Sequence, residues 1–201
     1  MDISNYIENT DSLLDIKNFV YPWDITDNSE KIVQELIQKL NTDYKIENNI
    51  AIHKGSIIEP NVTFKGPVIV GKNCFIASGA YLRGGVFLGE NVKIGPSCEV
   101  KSSFVFSNSN LAHLNYVGNS LVGSNVNLEA GSVIANRFNE REDKTIKVTV
   151  DGKEIILPTE KFGSLIGDHS KIGANAVISP GIILKKKSVV GRLELITESK
   201  F

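Results

Sequence analysis

A strict six-residue spacing of large apolar residues is the feature that most constrains the fold of this chain. Neither the 3.6-residue period of an amphipathic helix nor the two-residue period of a strand keeps such a spacing, whereas short strands joined by turns into a three-sided prism do. The sequence therefore predicts a mainly β fold, a parallel β-helix in which three hexapeptides form one coil. The residues that carry the period are Ile46, Ile52, Ile58, Phe64, Val70, Ile76, Leu82, Leu88, Ile94, Val100 and Phe106.

The six-residue frame is broken twice. After Phe106 it shifts by four residues and resumes at Tyr116, Val122, Leu128 and Ile134, and a last run contains Ile166, Ile172, Ile178, Leu184 and Val190. We therefore expect interruptions near residues 107–115 and at about 137–162. Interruptions of a solenoid map to loops on one face, often the binding face. The second one contains alternating apolar residues around Asp151-Gly152, which predicts a projecting β-hairpin.

Glycines that follow the large apolar residues, such as Gly71, Gly89 and Gly95, are expected to supply the positive φ that the turns require. The positions two residues before the apolar ones are mostly small or β-branched and include both cysteines, Cys74 and Cys98. At such a position a thiol acts as a small apolar group, so a disulfide is not expected.

Residues 1–45 lack the period and are expected to form an N-terminal helical segment, which leaves 46–201 for the β-helix. Asn28-Ser29 is a favourable helix cap, and apolar residues follow it with helical spacing. We expect a helix over about residues 29–41, packed on or plugging the end of the β-helix, where it would hide an unpaired strand edge. Tyr21-Pro22-Trp23-Asp24 indicates an anchored turn with a packing role.

The composition limits the partners. With 41% hydrophobic residues, 22% charged residues and a net charge of -1, the chain has an ordinary globular balance, and neither nucleic acid nor an anionic membrane is an expected partner. No signal peptide precedes Met1-Asp2-Ile3, and no apolar run approaches the ~18 residues of a membrane span. These observations favour a cytoplasmic protein.

The three histidines are His53, His113 and His169. His53 and His113 are about three coils apart, and coils stack at ~4.8 Å, so one zinc ion with ligands at ~2.0–2.1 Å cannot join them. No metal site is expected. His113 differs from the other two because it falls in the first interruption of the repeat. From the residues alone it is either a catalytic residue or an exposed structural one.

Arg83 and Lys101 hold equivalent repeat positions one coil apart, so we expect them side by side on one outer face. Two cations so placed repel each other unless an anion or a carboxylate joins them, and Glu99 is near in sequence. A phosphate pocket explains the pair. A solvated, charged face explains it equally well at this point.

Several segments together resemble a known family. His113-Leu-Asn-Tyr-Val-Gly118, Val122-Gly-Ser-Asn-Val-Asn127, Ala130-Gly131 and Ala135-Asn136 are similar to the acetyltransferase domain of bifunctional sugar-1-phosphate nucleotidyltransferase/acetyltransferases, which include the glucosamine-1-phosphate acetyltransferases. The Tyr21-Pro22-Trp23-Asp24 linker and the hairpin insertion look more like the archaeal branch. The similarity covers roughly residues 20–185 and is most specific from His113 to Asn136.

The resemblance implies a left-handed parallel β-helix, a homotrimer with active sites between subunits, acetyl-CoA as donor and an amino-sugar 1-phosphate as acceptor, in the biosynthesis of UDP-N-acetylglucosamine or a related nucleotide sugar. By position, it gives His113 the role of catalytic base. Substrate-binding roles go to Arg83, Lys101, Tyr116, Asn127 and Asn136, and Ala174 is placed near the coenzyme.

Three departures from the family pattern keep alternatives open. A nucleotidyltransferase domain is missing, Asn119 stands where the family usually has Asp, and the chain ends soon after Val190-Gly191, which bears on coenzyme A binding. The main hypothesis is an acetyl-CoA-dependent N-acetyltransferase acting on an amino-sugar 1-phosphate. A non-catalytic, sugar-phosphate-binding partner of a nucleotidyltransferase and an O-acetyltransferase acting on a hydroxyl are the alternatives. The sequence does not identify the acceptor sugar.

Overall fold

A computed structural model of the chain describes residues 1–8, 14, 16, 19–150 and 152–198. It begins with a 3-10 turn, Ile3–Asn5, and two helices, α1 (Pro22–Asp27) and α2 (Ser29–Ile37). The strands that follow, in chain order, are β1 Tyr44–Glu47, β2 Ile50–His53, β3 Ile57–Ile58, β4 Thr63–Lys65, β5 Val68–Val70, β6 Phe75–Ile76, β7 Tyr81–Arg83, β8 Val86–Leu88, β9 Lys93–Ile94, β10 Glu99–Lys101, β11 Phe104–Val105, β12 Asn110–Leu111, β13 Tyr116–Gly118, β14 Leu121–Val122, β15 Asn127–Leu128, β16 Val133–Ile134, β17 Lys147–Val150, β18 Lys153–Ile156, β19 Ser164–Ile166, β20 Lys171–Ile172, β21 Val177–Ile178, β22 Ile182–Leu184, β23 Val189–Val190 and β24 Leu195–Ile196.

Three parallel sheets form the sides of a prism, and the predicted β-helix is confirmed. The first face contains β2, β5, β8, β11, β14, β19 and β22, extended by the antiparallel β1. The second face contains β3, β6, β9, β12, β15, β20 and β23, and the third contains β4, β7, β10, β13, β16, β21 and β24. Each coil visits the three faces in this order, and the prism interior is a single apolar core.

The first interruption is not a break in the wall, and this prediction is wrong. Strand β12 lies inside residues 107–115 and pairs with both β9 and β15. Phe87 pairs with Phe104 and Phe104 with Leu121, so two successive coils contain 17 residues each instead of 18. Each shortened coil advances the frame by one residue, which reads in the sequence as one larger shift.

The shortened coils correct two residue assignments. Val105 and Val117 point into the core, and the neighbouring Phe106 and Tyr116 point outward. Ile46 is not an interior residue either, because it lies in the antiparallel strand β1 and is 46% exposed. The first coil therefore begins at β2.

The prediction that Gly71, Gly89 and Gly95 supply positive φ is wrong, since the described turns reach positive φ at other residues, more often asparagine than glycine. Asn73, Asn91, Asn108 and Asn125 have φ between 55° and 62° and stack along one corner of the prism. Asparagine tolerates the left-handed region better than most residues. Gly95 is needed for another reason, since a Cβ there would lie 1.6 Å from the carbonyl oxygen of Ala112 in the next coil.

The N-terminal helices lie along the side of the prism and do not plug its end. Helix α2 contacts β5 and β8, and the outward apolar side chains of the first face form a second core with Trp23, Ile25 and Val33. Further along, the buried carboxylate of Asp168 accepts the backbone N–H of Glu8 at 2.8 Å. The first face is therefore covered for most of its length because its outer residues are apolar.

The hairpin is confirmed as β17 and β18, but it does not stand free of the coils. Val148 and Val150 are buried in the core of the first face, whereas β18 is largely exposed. Alternation in β17 directs every second residue to the coils, which holds the hairpin against the prism. In the described part of the chain no helix is long and apolar enough to cross a bilayer.

Candidate active site

The outer surface of the third face carries the charged residues that the sequence analysis singled out. Lys101 pairs directly with Arg83 across β10 and β7, as predicted from their repeat positions. Glu99 binds Arg83 through the guanidinium Nε at 2.9 Å and Nη2 at 2.6 Å, and each of these two side chains is about one third exposed. The carboxylate therefore neutralises Arg83, and no described carboxylate forms an ion pair with Lys101.

Lys101 is a partly buried cation among other cations. Burial is the main cause that lowers the pKa of its ammonium group, and the positive charges of Lys161 and Arg83 lower that pKa further. Glu99 acts in the opposite direction. A group that loses solvent and faces two like charges gains most from a bound anion.

Lys161 is a site residue that the sequence analysis missed. It follows the hairpin, where the insertion has destroyed the repeat, so no spacing connects it with Lys101. The next residue, the buried Phe162, positions Lys161. The ring of Phe162 packs edge-on against Trp23 with the ring centroids 5.7 Å apart, and the Phe162 N–H donates to the Asn136 carbonyl at 3.0 Å. The Tyr21-Pro22-Trp23-Asp24 segment thus has the packing role that was predicted for it.

Lys101 and Lys161 line one groove of about 460 Å³ between the third face and the beginning of α2. Asn119 and the acidic residues Asp27 and Glu30 also line it, so the groove is of mixed charge. Burial raises the pKa of the Asp27 carboxyl, while a hydrogen bond from Thr159 partly opposes this. Lys31, from α2, is a third cation at the groove, which is large enough for a small phosphorylated molecule.

Tyr116, Asn136 and Asn119 form an uncharged chain of hydrogen bonds beside these cations. The Tyr116 hydroxyl donates to Asn136 Oδ1 at 3.3 Å, and Asn136 Nδ2 donates to Asn119 Oδ1 at 2.7 Å. Burial, and next the negative charge of Glu99, raise the pKa of Tyr116, so the phenol stays neutral. The structure thus brings Arg83, Lys101, Tyr116 and Asn136 together on one face.

His113 lies at the corner between the second and third faces, in the turn from β12 to β13. Its side chain is exposed, and no hydrogen bond joins the imidazole to any described residue. Asn127 lies around this corner, on the second face, exposed in β15 between Asn110 and Lys171. The predicted residues therefore lie on two faces: Arg83, Lys101 and Asn136 are at the edge of the third face towards the first face, whereas Tyr116 begins β13 beside the corner of His113.

Ala174 occupies the same corner as His113, two coils further along. The carbonyls of His113, Ala130 and Ala174 accept backbone N–H groups from Gly131, Asn175 and Leu193 at 2.9–3.0 Å. We call the stacked turn residues His113, Ala130, Ala174 and Arg192 the corner column. With coils stacked at ~4.8 Å, His113 and Ala174 are roughly 10 Å apart.

The N–H of Ala174 is already occupied in this structure. It donates to Glu129 Oε2 at 3.0 Å, and the same carboxylate accepts Arg192 Nε at 2.9 Å. The equivalent bond occurs at the first coils, where Ser78 N–H donates to Glu59 Oε2 at 2.8 Å. A carboxylate that caps the next turn is therefore a recurrent element of this corner.

No group of three or more histidine, cysteine, aspartate or glutamate side chains could hold a metal ion within the residues described. Both cysteines are free and buried in the prism, and burial raises the pKa of the Cys74 thiol to about 11.

Comparison with known proteins identifies the family of the chain. The family described as GMPPB C-terminal domain matches residues 64–189. A bifunctional sugar-1-phosphate nucleotidylyltransferase/acetyltransferase of Sulfurisphaera tokodaii is 39% identical over 168 residues, which are 80% of this chain and 41% of that protein. A protein of Methanocaldococcus jannaschii named bifunctional protein GlmU is 34% identical over 194 residues, 87% of this chain and 43% of that protein.

Among solved structures, a point mutant of AntD, an N-acyltransferase from Bacillus cereus in complex with dTDP and coenzyme A, covers 80% of this chain and 83% of its own. Its TM-score is 0.36 at 15% identity, so the fold assignment rests on the strand stacking described above. The chain spans less than half the length of the curated relatives named here. The family match extends from β4 to β23 and includes Arg83, Lys101, His113, Asn127 and Asn136, and the chain therefore belongs to the GMPPB C-terminal domain family.

Proposed function

We propose that this chain is an acetyl-CoA-dependent N-acetyltransferase that acts on an amino-sugar 1-phosphate. The observation that carries the proposal is the position of His113, exposed at a corner between a cationic face and the column that contains Ala174. Two of its relatives are named as bifunctional enzymes, one of them as a sugar-1-phosphate nucleotidylyltransferase/acetyltransferase. Fold alone would not support the proposal, because solenoids of this kind carry many functions.

The phosphate of the acceptor would bind at the cations of the third face and its groove. Arg83 offers a planar guanidinium that can hold two phosphate oxygens, and Lys101 and Lys161 add point charges. Glu99 would keep Arg83 oriented while the phosphate takes its remaining donors. Tyr116, Asn136 and Asn127 are neutral donors and acceptors for the hydroxyl groups of a sugar, in keeping with the roles that the resemblance implied.

His113 would act as the general base. A protonated amine cannot attack a carbonyl, so the acceptor reacts as the free amine, after its ammonium group has released one proton to solvent. The imidazole then takes a second proton from the nitrogen as this attacks the thioester carbon. The tetrahedral intermediate collapses to the amide, the C–S bond breaks, and the proton passes from the imidazolium to the departing coenzyme A sulfur. An imidazole can accept and return a proton near neutral pH, which suits both steps.

The coenzyme would lie along the corner column, with its thioester end at His113 and its body passing Ala174. Extended chains bind such columns through backbone N–H groups. Ala174 N–H would have to exchange the Glu129 carboxylate for a carbonyl of the pantetheine arm. Arg192 would then be released close to the phosphate end of the coenzyme.

A second copy of the chain is expected to complete the site, as a homotrimer would. His113 and Leu114 stand exposed at the corner, with Leu114 66% exposed, and an open corner would not exclude water from a thioester. Light scattering would give the oligomeric state. Mixing an Arg83→Ala chain with a His113→Ala chain should restore part of the activity if the two residues of one site come from different copies.

A thiol-release assay tests the proposal, with glucosamine 1-phosphate and galactosamine 1-phosphate as acceptors. We expect His113→Ala to lower kcat roughly 100- to 10,000-fold, which is the usual contribution of general acid–base catalysis. The unfolding midpoint should not change, because the imidazole is exposed. His169→Ala is the matched control. Equal turnover by the wild type and His113→Ala would refute the role of His113.

Further assays on the same protein distinguish this proposal from the two alternatives, a non-catalytic binding module and an O-acetyltransferase. The capped N–H of Ala174 favours a non-catalytic module that binds a sugar phosphate without coenzyme. Calorimetry decides this, since tight acetyl-CoA binding to the wild type contradicts a module without a coenzyme site. An acceptor panel of matched amino sugars and sugars that carry only hydroxyl groups distinguishes N-acetyl from O-acetyl transfer.

A further inference from the structure

Asn115 is a buried, large polar side chain at a corner position where the neighbouring coils carry small residues. The stacked positions in neighbouring coils are Ala80, Cys98, Ser132 and Ala176. Asn115 is only 2% exposed, and its amide makes five hydrogen bonds to four different residues. A buried amide is tolerated only when it is satisfied in this way.

The partners of Asn115 determine the orientation of its amide. Oδ1 accepts the backbone N–H of His113 at 3.1 Å and the thiol of Cys98 at 3.5 Å. Burial raises the pKa of the Cys98 thiol, so this group stays protonated and donates. Nδ2 donates to the Glu129 carbonyl at 2.7 Å and to Ser132 Oγ at 2.8 Å. A flipped amide would place its NH₂ against the His113 N–H.

The turn that Asn115 holds is strained. Leu114 lies between the two residues with a φ of 53° and is 66% exposed. A leucine in the left-handed region is unfavourable by roughly 1–2 kcal/mol, and no burial of its side chain offsets this. Positive φ recurs at this corner in the neighbouring coils, at Ser97 and Gly131, and the Leu114 N–H donates to the Pro96 carbonyl at 3.1 Å, so coil stacking sets the turn. The bond between Asn115 Oδ1 and the His113 N–H closes the turn around Leu114 and adds to its stability.

His113 has no other orienting device among the described residues. A catalytic imidazole is commonly held by a partner on its second ring nitrogen, and here no described side chain bonds to either nitrogen. The backbone of His113 is held at both ends instead, at the N–H by Asn115 and at the carbonyl by the Gly131 N–H at 2.9 Å. The N–H groups of Ala112 and Leu114 also donate to adjacent coils, at 3.0 and 3.1 Å, and the bond from the His113 N–H to Asn115 adds the side-chain contact that fixes His113 itself.

We propose that Asn115 is a positioning residue for His113: its amide locks the His113–Leu114 turn onto the next coil and so directs the imidazole from the corner. The inference rests on the proposed function for its effect on catalysis. Its structural part, that Asn115 determines the conformation of His113, can be tested without any activity.

Asn115→Leu tests the proposal, since it keeps the size of the side chain and removes all five hydrogen bonds of the amide. The chain has three histidines, so the ring C–H signals in an NMR spectrum can be assigned by His→Ala variants. We expect the His113 signal alone to shift or broaden in Asn115→Leu, with those of His53 and His169 unchanged. If the His113 signal stays where it was, the proposal is refuted whatever the activity is.

The catalytic part is read from kinetics. We expect Asn115→Leu to lower kcat roughly 10- to 100-fold, the size of effect that a small displacement of a reacting group produces, with both KM values within about twofold. On the His113→Ala background the same substitution should cause no further loss, because Asn115 acts only through His113. A further loss of the same size there would contradict the proposal.

Ser109→Ala is the matched control. Ser109 is fully buried at another corner, where Oγ donates to the Gly123 carbonyl at 2.7 Å and accepts the Val126 N–H at 3.0 Å. It joins successive coils as Asn115 does, without touching His113. We expect it to lower the unfolding temperature but to leave kcat and the His113 signal unchanged.

If Asn115→Leu does not fold, Asn115→Ser serves, and it should shift the His113 signal in the same direction. An unchanged signal in a folded Asn115→Ser protein would count against the proposal. An inactive wild type would refute the proposed function, and an active His113→Ala protein would refute the role of His113 in it. In either case the NMR result would still show whether Asn115 determines the conformation of His113.

Discussion

The first and third faces of the prism have the same backbone architecture and opposite outer surfaces. On the first face, the outward residues Ile69, Phe87, Phe104 and Leu121 are at most 1% exposed beneath the N-terminal helices. On the third face, the outward residues at the same level include Arg83, Glu99, Lys101 and Tyr116, and they remain partly exposed. The same coiled backbone forms both faces, so the outward residues alone determine whether a face is covered or is open to bind a ligand.

The contrast between the two faces also shows how the hairpin insertion affects the third face. The segment after the hairpin crosses from the covered face to the third face, and its two consecutive residues divide the tasks. Phe162 is fully buried against Trp23, and Lys161 is exposed beside Lys101. Packing on one face therefore places a charge on the other, and the predictions below test this division in order of decreasing effect.

Phe104→Ala should cause the largest change, a loss of about 3–5 kcal/mol in the free energy of unfolding. The ring is fully buried between the coils and the N-terminal segment, 6.1 Å from the ring of Phe87, so its removal leaves a cavity. Chemical denaturation followed by circular dichroism measures the loss. Phe75→Ala makes the same change on the uncovered second face and should cost clearly less. Equal losses would mean that covering the first face contributes nothing.

Lys161→Ala should raise the KM for a phosphorylated acceptor roughly tenfold, which corresponds to about 1.4 kcal/mol of binding free energy. The reason is the loss of one of the three lysines that line the groove. Stability and the KM for acetyl-CoA should not change. Lys153→Ala, in the exposed strand of the same insertion, is the control. An unchanged KM for the acceptor in Lys161→Ala would show that the groove does not bind the phosphate of the acceptor.

Lys101→Met should give the smallest effect, and in the opposite direction, with a gain in stability of less than about 1 kcal/mol near neutral pH once solvent screening is allowed for. Burial and two neighbouring cations lower the pKa of Lys101 below its ordinary 10.5. The unfolded chain thus binds this proton more readily, and wild-type stability rises with pH until about 10.5.

The stability advantage of Lys101→Met should accordingly be present at neutral pH and vanish as the pH approaches 10.5, the pKa of an ordinary lysine. Thermal unfolding at several pH values measures it, with the exposed Lys93→Met of the second face as control. Acceptor binding by Lys101→Met should weaken at the same time. A destabilised Lys101→Met protein would show that the lysine stem, and not its charge, determines the effect at this site.

Much of the fold could be predicted from the residue spacing, because an interior position recurs in every coil and tolerates only apolar side chains. Leu82, Ile94 and Leu128 illustrate this, and so does the register that places Arg83 beside Lys101. The two 17-residue coils could not be located, since two separate omissions of one residue and a single larger shift leave similar patterns. For this reason Phe106 and Tyr116 were assigned to the interior.

The roles of the predicted site residues remain predictions, but their positions divide clearly. Arg83, Lys101, Tyr116 and Asn136 share one face. The repeat predicted this only for Arg83 and Lys101, and it placed Tyr116 in the interior. Lys161 had no sequence signal, because its place depends on how far the hairpin insertion carries the chain and where Phe162 packs. Asn115 gave none either, since one asparagine in a chain with many turn asparagines does not stand out.

The sequence by itself determined the β-helix, the outward and inward residues of most coils, the existence of the hairpin, and the residues around His113. These follow from local rules, in which side-chain size and polarity repeat with the geometry of the coil. Only the tertiary structure decided that the helices cover the first face, that Lys161 reaches Lys101, and that Asn115 holds the turn of His113. Those features depend on contacts between segments that are distant along the chain, and their geometry is set by packing.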